Sequence, residues 1–180
     1  MVAAKQVSPL PPEADADLFE FTMDYLSSNG FVQYEVSNYA KPGFPCQHNL
    51  NYWSHGNYLG FGPSAHSYWN NRRWWNLPNL RSYADNLSGN RLPVMGEEDL
   101  TPGQLLDESV MLGLRSGGVD CALLKEHLGV DLVELQRPLI EDLIARGLAS
   151  LEGNLLRLTP KGMPLCDEIG RRMVSHLRAA

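Results

Sequence analysis

The spacing of hydrophobic and polar residues predicts one helix and one strand near the start of the chain. Apolar residues recur at helical spacing over residues 14–29, and Gly30 follows where a helix commonly ends. We expect the inward stripe of this helix to hold Leu18, Thr22, Tyr25 and Leu26. Residues 31–36 alternate between apolar and polar types, as strands do. A helix, a glycine turn and a strand in this order are one αβ step of an α/β barrel.

The middle of the chain carries shorter patterns. Two prolines and a glycine predict a loop over 41–45, and we expect a turn at 55–57 and a short strand over 58–61. A short helix is predicted over 79–88, followed by a linker over 91–100 whose acidic residues are solvated. The face of this helix that is expected to pack holds Leu80, Tyr83, Ala84 and Leu87.

After the linker the pattern becomes that of a small helical module. Thr101 and Gln104 form a capping-box signature, and Pro138 should interrupt the longest helix because proline lacks the amide donor. Helices are predicted over 101–115, 120–128, 131–146 and from 159 onward, with a hairpin over 148–158 before the last of them. The predicted inward residues are Leu106, Val110, Leu114, Leu135, Leu139, Leu143, Ile144, Cys166, Ile169, Met173 and Leu177.

These elements together predict an α+β fold in two parts. Residues 1–100 would form an α/β unit, and residues 101–180 a helical domain. The order helix, helix, hairpin, helix in the second part is typical of a winged helix.

Charge and composition then limit the classes of partner. The chain has 180 residues and a net charge of −6, and residues 120–180 carry eight Lys and Arg against nine Asp and Glu. Such a surface lacks the basic excess on which nucleic-acid binding depends, so we expect no nucleic-acid partner. No apolar run approaches the length of a membrane span, and three scattered cysteines favour a reducing compartment, so the cytoplasm is the predicted location.

The densest chemistry lies over residues 45–68, which hold three of the five histidines and a glycine-rich run. Imidazole is the commonest metal ligand, and glycine lets the backbone approach a ligand closely. The four tryptophans, Trp53, Trp69, Trp74 and Trp75, fall within 23 residues of one another; a packed core is favoured for the last three, with core and ligand contact equally open for Trp53. A zinc site of Cys46, His48, His55 and His66 is an alternative, but its spacing differs from that of structural zinc.

Three motifs carry a family resemblance. They are YEVSNYA at 34–40, HNLNYW at 48–53 and LGFGPSAHS at 59–67. In this order and spacing they resemble the later part of the oxygen-independent coproporphyrinogen III oxidase-like radical-SAM family, in its HemW-type haem chaperone branch. The resemblance implies the edge of a radical-SAM partial barrel followed by a winged-helix-like domain. In a longer parent protein it also implies a [4Fe-4S] cluster and S-adenosylmethionine.

The cluster-binding CxxxCxxC of that family has no match here. Cys46, Cys121 and Cys166 are too far apart for an iron–sulfur motif. We therefore expect the chain to be the C-terminal part of a longer protein, without a cluster or radical chemistry of its own.

The resemblance also implies the site residues. His48 is the expected axial ligand of haem iron, with Asn49, Tyr52 and Trp53 beside it, and Cys46 is a possible competitor. Gly60 and Gly62 would lie near the S-adenosylmethionine pocket, where Ser64 stands in place of a frequent glycine. No role is expected for His127 or His176.

Haem or another porphyrin is the expected ligand, and haem-accepting proteins are the expected partners. The function implied is haem binding and delivery. The alternatives are oxidative decarboxylation of coproporphyrinogen III by the parent protein and an interaction domain without a cofactor.

Overall fold

The computed structural model of the chain describes residues 8–175, which begin with a helix and a hairpin. Helix α1 spans Pro12–Ser28, strand β1 spans Val32–Glu35, and strand β2 spans Asn38–Ala40. The predicted helix and strand are both present. Within the described residues, however, β1 pairs with β2 in an antiparallel ladder and has no parallel neighbour of the kind that an αβ barrel step supplies.

Helix α1 does not bury the predicted stripe. Leu18 and Tyr25 are 52% and 58% exposed, whereas Phe19, Met23 and Leu26 are half-buried. The inward face is rotated from the predicted one, and among residues 8–175 α1 packs mainly on β1 and on the short 3-10 helix at Met163–Leu165.

A three-stranded antiparallel sheet follows, which we call the first sheet. Its strands are β3 at His66–Trp69, β4 at Arg72–Asn76 and β5 at Val94–Asp99, in the order β3-β4-β5. Two helices flank its strands along the chain, α2 at Gln47–Trp53 and α3 at Leu80–Ser88.

Three local predictions fail in this region. Residues 91–100 are not a linker, because most of them form β5 and their acidic side chains pair across the ladder, with Arg72 bonded to Glu97 and Arg73 to Glu98. The segment 58–61 is not a strand: only Tyr58 forms a bridge, to Tyr68. Helix α3 buries no residue, and Leu80 is 70% exposed.

The tryptophans do not form a packed core. None of them is among the buried residues: Trp69 is exposed, and Trp53, Trp74 and Trp75 are half-buried. The last three of the four lie on the β3–β4 hairpin, where each side chain covers part of the sheet surface.

The C-terminal part contains α4 at Pro102–Leu114, β6 at Val119–Asp120, α5 at Cys121–Leu128, α6 at Leu132–Leu135, α7 at Arg137–Ala145, β7 at Ala149–Glu152, β8 at Leu155–Leu158 and α8 at Cys166–Ser175. A further three-stranded sheet, which we call the second sheet, has the order β6-β8-β7. Helices followed by a hairpin that pairs with a short preceding strand give the predicted winged-helix-like arrangement. The overall mixture of helices and small antiparallel sheets confirms the α+β class, and the division at residues 100 and 101 stays a prediction.

Local chemistry explains where these helices begin. Thr101 and Gln104 make both bonds of the capping box, and the Asp120 carboxylate accepts from two amides of α5. Pro138 divides the predicted third helix into α6 and α7, where it occupies the first turn of α7.

The main core lies in this part and joins α4, α5, α6, α7, α8 and the second sheet. Leu106, Val110, Leu114, Leu143, Cys166, Ile169 and Met173 are buried as predicted. Leu135 and Ile144 are 51% and 42% exposed instead, and Leu132 and Ile140 take the inward positions. The predicted inward positions followed one helical register across Pro138, whereas α6 ends at Leu135 and α7 begins at Arg137. His176 and Leu177 lie outside the described residues.

Two observations concern nucleic acids and membranes, the partners that the sequence does not favour. On α6 and α7, Arg137 pairs with Glu134 and Arg146 with Asp142, so these guanidinium groups already have carboxylate partners. In residues 8–175, no helix has both the length and the apolar character needed to cross a membrane.

Candidate functional site

The HNLNYW motif lies within helix α2, which spans Gln47–Trp53. His48 and Tyr52 are four residues apart, which places both on the same side of the helix. The two side chains meet: Tyr52 Oη and His48 Nε2 are 2.8 Å apart, and the rings pack edge to face with centroids separated by 4.6 Å. His48 is exposed, so its imidazole is fixed by a neighbour yet open to solvent.

A row of rings continues from His48 into the protein. We call His48, Tyr52, Tyr58, Tyr68 and His55 the aromatic row. Tyr52 and Tyr58 pack edge to face at 4.4 Å, and His55 stacks on Tyr68 at 4.7 Å. Tyr58 and Tyr68 link the two pairs at 6.3 Å. The row therefore joins the exposed face of α2 to the buried side of the first sheet.

At the inner end of this row, His55 contacts a group of charged side chains. Its Nε2 lies 2.9 Å from Glu108 Oε2 on α4, and Arg73 Nη1 lies 3.2 Å from the other Glu108 oxygen. Arg73 is also bonded to Glu98 at 2.6 Å. This set of contacts connects the turn after α2 and the first sheet to the helical part of the chain.

The same surroundings shift two pKa values. Burial raises the pKa of the Tyr68 phenol, and the nearby Glu108 carboxylate raises it further. Burial opposes the charge of Arg73, yet its bonds to Glu98 and Glu108 leave its pKa above the ordinary value. Tyr68 therefore stays a neutral hydrogen-bond donor, to Asn71 Oδ1 at 3.0 Å, at any physiological pH.

Two cavities adjoin α2. The larger has a volume of about 610 Å³ and lies between the end of α2, Tyr68, α4 and α5. The smaller, of about 410 Å³, lies between α2 and the turn after α4. Trp53 lines both of them, so it faces these cavities and lies on a different side of α2 from His48 and Tyr52. Asn49 is half-buried, with Nδ2 3.5 Å from Tyr34 Oη.

The four residues of the zinc alternative do not gather. His48 contacts Tyr52, His55 contacts Glu108, and His66 stacks on Trp75. Among residues 8–175, no three His, Cys, Asp or Glu side chains are placed to hold one metal ion. The cysteines do not fit a four-iron cluster either, because Cys46 is exposed while Cys121 and Cys166 are buried in the helical part.

The backbone geometry around Gly60 and Gly62 favours glycine at both positions. A Cβ on Gly60 would lie 2.0 Å from the His66 carbonyl oxygen, so only glycine permits this approach. Gly62 has a φ of +108°, its amide donates to Tyr83 and its carbonyl accepts from Asn76. Ser64 has a φ of +60°, which explains why a glycine is compatible with this position.

Glu108, Arg73 and His127 are parts of this region that the sequence did not indicate. Glu108 is one of several acidic residues on a helix, and His127 sits in an ordinary amphipathic pattern. No local signal marks them, because their roles depend on contacts across the chain. The prominence of Tyr58 and Tyr68 in the 45–68 stretch was the available clue to the aromatic row.

A family model matches the C-terminal part of the chain. Residues 100–165 match the model described as the HemN C-terminal domain. The C-terminal part of the chain is therefore similar to a HemN C-terminal domain. The HemW relatives described next cover 88% and 89% of the chain, and together with this match they confirm the resemblance seen in its motifs.

Curated relatives share the name "Heme chaperone HemW". The relative from Mycobacterium tuberculosis is 38% identical over 162 residues, covering 88% of this chain and 39% of the relative. The relative from Bacillus subtilis is 34% identical over 162 residues, with 89% and 43% covered. The chain thus spans about two fifths of the length of these HemW relatives.

A solved structure supports the HemN-like fold. Coproporphyrinogen III oxidase (HemN) from Escherichia coli, described as a radical SAM enzyme, matches with a TM-score of 0.70 at 17% identity. The match covers 93% of this chain and 42% of that enzyme. At this identity the likeness establishes a shared fold alone.

Proposed function

We propose that the chain binds haem at the exposed face of α2 and belongs to a haem chaperone. The observation that carries this proposal is the His48 imidazole, which is exposed to solvent and held by the Tyr52 hydroxyl at 2.8 Å. A histidine nitrogen is a common axial ligand of haem iron. The homology to proteins named heme chaperones supports haem as the cargo.

The Tyr52 hydroxyl would act as a temporary partner for His48. It occupies Nε2 and so holds the ring in one orientation before haem arrives. A neutral hydrogen bond contributes only about 1 kcal/mol net, which an iron–imidazole bond readily exceeds. Haem would therefore displace the hydroxyl from a ring that is already oriented, and the Tyr52 side chain would remain beside the macrocycle.

Exposure favours delivery over storage. His48 is exposed and Tyr52 is 37% exposed, so one face of a bound haem would stay accessible to a haem-accepting protein. Trp53 lines the two cavities, so the proposal assigns the contact with the macrocycle to Tyr52, and the expected place of Trp53 beside the ring stays a prediction. Because the described cysteines do not fit a cluster, the proposal takes no step through a [4Fe-4S] cluster or S-adenosylmethionine. Oxidative decarboxylation of coproporphyrinogen III is not proposed for this chain, because the likeness to the oxidase is one of fold.

Replacing His48 by alanine should weaken haem binding by about 1–3 kcal/mol and shift the Soret band, since the iron loses its axial nitrogen. The measurement is a haem titration followed by absorbance. His66→Ala is the matched control, because His66 is also exposed but stacks on Trp75 away from α2. If His48→Ala keeps the wild-type spectrum and affinity, the assignment of His48 is wrong.

Tyr52→Phe should tighten haem binding a few-fold, because iron no longer has to displace a hydroxyl from Nε2, while the ring contact with His48 is kept. The same titration measures the effect, and the dissociation rate can be followed by transfer to apomyoglobin. Tyr83→Phe is the control, since it removes a tyrosine hydroxyl that bonds Gly62 and not a histidine. A weaker complex with Tyr52→Phe would show that the hydroxyl assists ligation.

A further inference from the structure

Tyr58 is the member of the aromatic row that lies between the exposed pair on α2 and the first sheet. Its ring packs edge to face against the Tyr52 ring, with centroids 4.4 Å apart and an interplanar angle of 85°. This separation is at the short end of the range of about 4.5–7 Å that is usual for aromatic pairs. Tyr52 in turn contacts His48 through its hydroxyl, so a contact that fixes the Tyr52 ring also affects the imidazole.

The exposed pair needs support from outside its own helix. Helix α2 has seven residues, and Tyr52 is 37% exposed on it. An exposed tyrosine side chain ordinarily changes rotamer on a picosecond to nanosecond timescale, because little packing restricts it. A bond from its hydroxyl to an imidazole that is itself exposed does not fix either ring, since the two side chains are free to move together.

Tyr58 is held by the first sheet. Its amide donates to the Tyr68 carbonyl at 2.8 Å, and its carbonyl accepts from the Tyr68 amide at 3.0 Å. The preceding residue, Asn57, exchanges two further bonds with Asn70: its Nδ2 donates to Asn70 Oδ1 at 3.0 Å, and its Oδ1 accepts from the Asn70 amide at 2.9 Å. The Tyr58 side chain also packs against the buried cluster that contains Tyr68 and Leu105. The ring that Tyr58 presents to Tyr52 is therefore fixed independently of α2.

We propose that Tyr58 is a positioning residue for His48, which acts by holding the Tyr52 ring so that the Tyr52 hydroxyl stays on the imidazole. The inference rests on the proposed function, because it assigns to Tyr58 the orientation of the histidine that would ligate haem iron. Tyr58 would act through Tyr52 and not on the iron. The first sheet would in this way orient an exposed side chain on a short helix.

The ring protons of His48 report this role in the 180-residue chain without haem. We expect their NMR signals to be displaced by the ring current of Tyr52 in wild type, because the two ring centroids are 4.6 Å apart. In Tyr58→Leu this displacement should largely disappear. Tyr58→Phe is the matched control and should keep it, since the ring that contacts Tyr52 remains. The His48 signals are assigned by their absence from His48→Ala.

The His66 ring is the internal control in these spectra. It lies on β3 and stacks on Trp75 at 5.9 Å, so a variant that loosened the whole first sheet would move its signals as well. We expect the His66 signals to keep their wild-type positions in each Tyr58 variant. Tyr58→Met, whose flexible side chain fills irregular gaps, takes the place of Tyr58→Leu in the comparison if the latter does not fold.

A double-mutant cycle gives the corresponding readout with haem. Tyr52→Phe is expected to tighten haem binding a few-fold, because it removes the hydroxyl from Nε2 of His48. In the Tyr58→Leu background the same change should have little effect, since the hydroxyl is no longer held on that nitrogen. In the Tyr58→Phe background the few-fold gain should remain.

The two readouts separate this inference from the proposed function. If the His48 signals of Tyr58→Leu and Tyr58→Met match wild type, Tyr58 does not position the imidazole and the inference is wrong, whether or not haem binds. Signals of His48 and His66 that move together would reject it too, because the sheet as a whole would have loosened. If only the His48 signals move while His48→Ala binds haem like wild type, Tyr58 does position His48, and the proposed haem site is what fails.

Discussion

Gly60→Ala should lower the free energy of unfolding by about 3 kcal/mol, the upper end for overpacking a well-packed site. The added methyl would lie 2.0 Å from the His66 carbonyl oxygen and 2.9 Å from its carbon, and both are backbone atoms of the first sheet that cannot swing aside. The Gly60 amide also donates to Ser67 Oγ at 3.0 Å, and Ser67 is only 2% exposed. Any shift that relieves the clash therefore weakens a buried hydrogen bond.

Urea denaturation followed by fluorescence would measure this loss. Gly103→Ala is the matched control, because a Cβ there meets nothing within 4 Å and the position lies in helix α4. It should be neutral or stabilising by up to ~1 kcal/mol, since alanine favours the helix. Equal stability of Gly60→Ala and wild type would mean that Gly60 is not needed for this backbone approach.

Leu132→Ala should destabilise the helical part by about 3 kcal/mol, whereas Leu135→Ala should cost less than ~1 kcal/mol. Both residues lie on α6, but Leu132 is fully buried in the main core and Leu135 is 51% exposed. The same three carbons are removed in each case, so the difference between the variants measures burial and the cavity left behind.

Thermal and urea unfolding followed by circular dichroism would test this pair. The comparison is sharp because the helical pattern of the sequence assigns the opposite roles, with Leu135 inward. If Leu135→Ala proves the more damaging change, the break between α6 and α7 does not set the register as the structure shows.

Much of the helical part could be predicted because adjacent residues decide it. The capping box of Thr101 and Gln104, the Asp120 cap and the left-handed Gly129 each act within four residues of their effect. Pro138 was expected to interrupt a helix and does so, because a missing amide donor is a local property. The three motifs likewise carried the family resemblance without reference to any fold.

The sequence by itself therefore determined the α+β class, the order of the helices and the hairpin in the C-terminal part, and the candidate His48. Only the tertiary structure decided how β5 pairs, which leucines of α6 and α7 face inward, and which side chains surround the cavity. His55 and Glu108 are 53 residues apart and still form a hydrogen bond, and His55 and His127 line the same cavity from distant segments of the chain. The physical reason is that short-range patterns fix local conformation, whereas burial and partner choice follow from packing between distant segments.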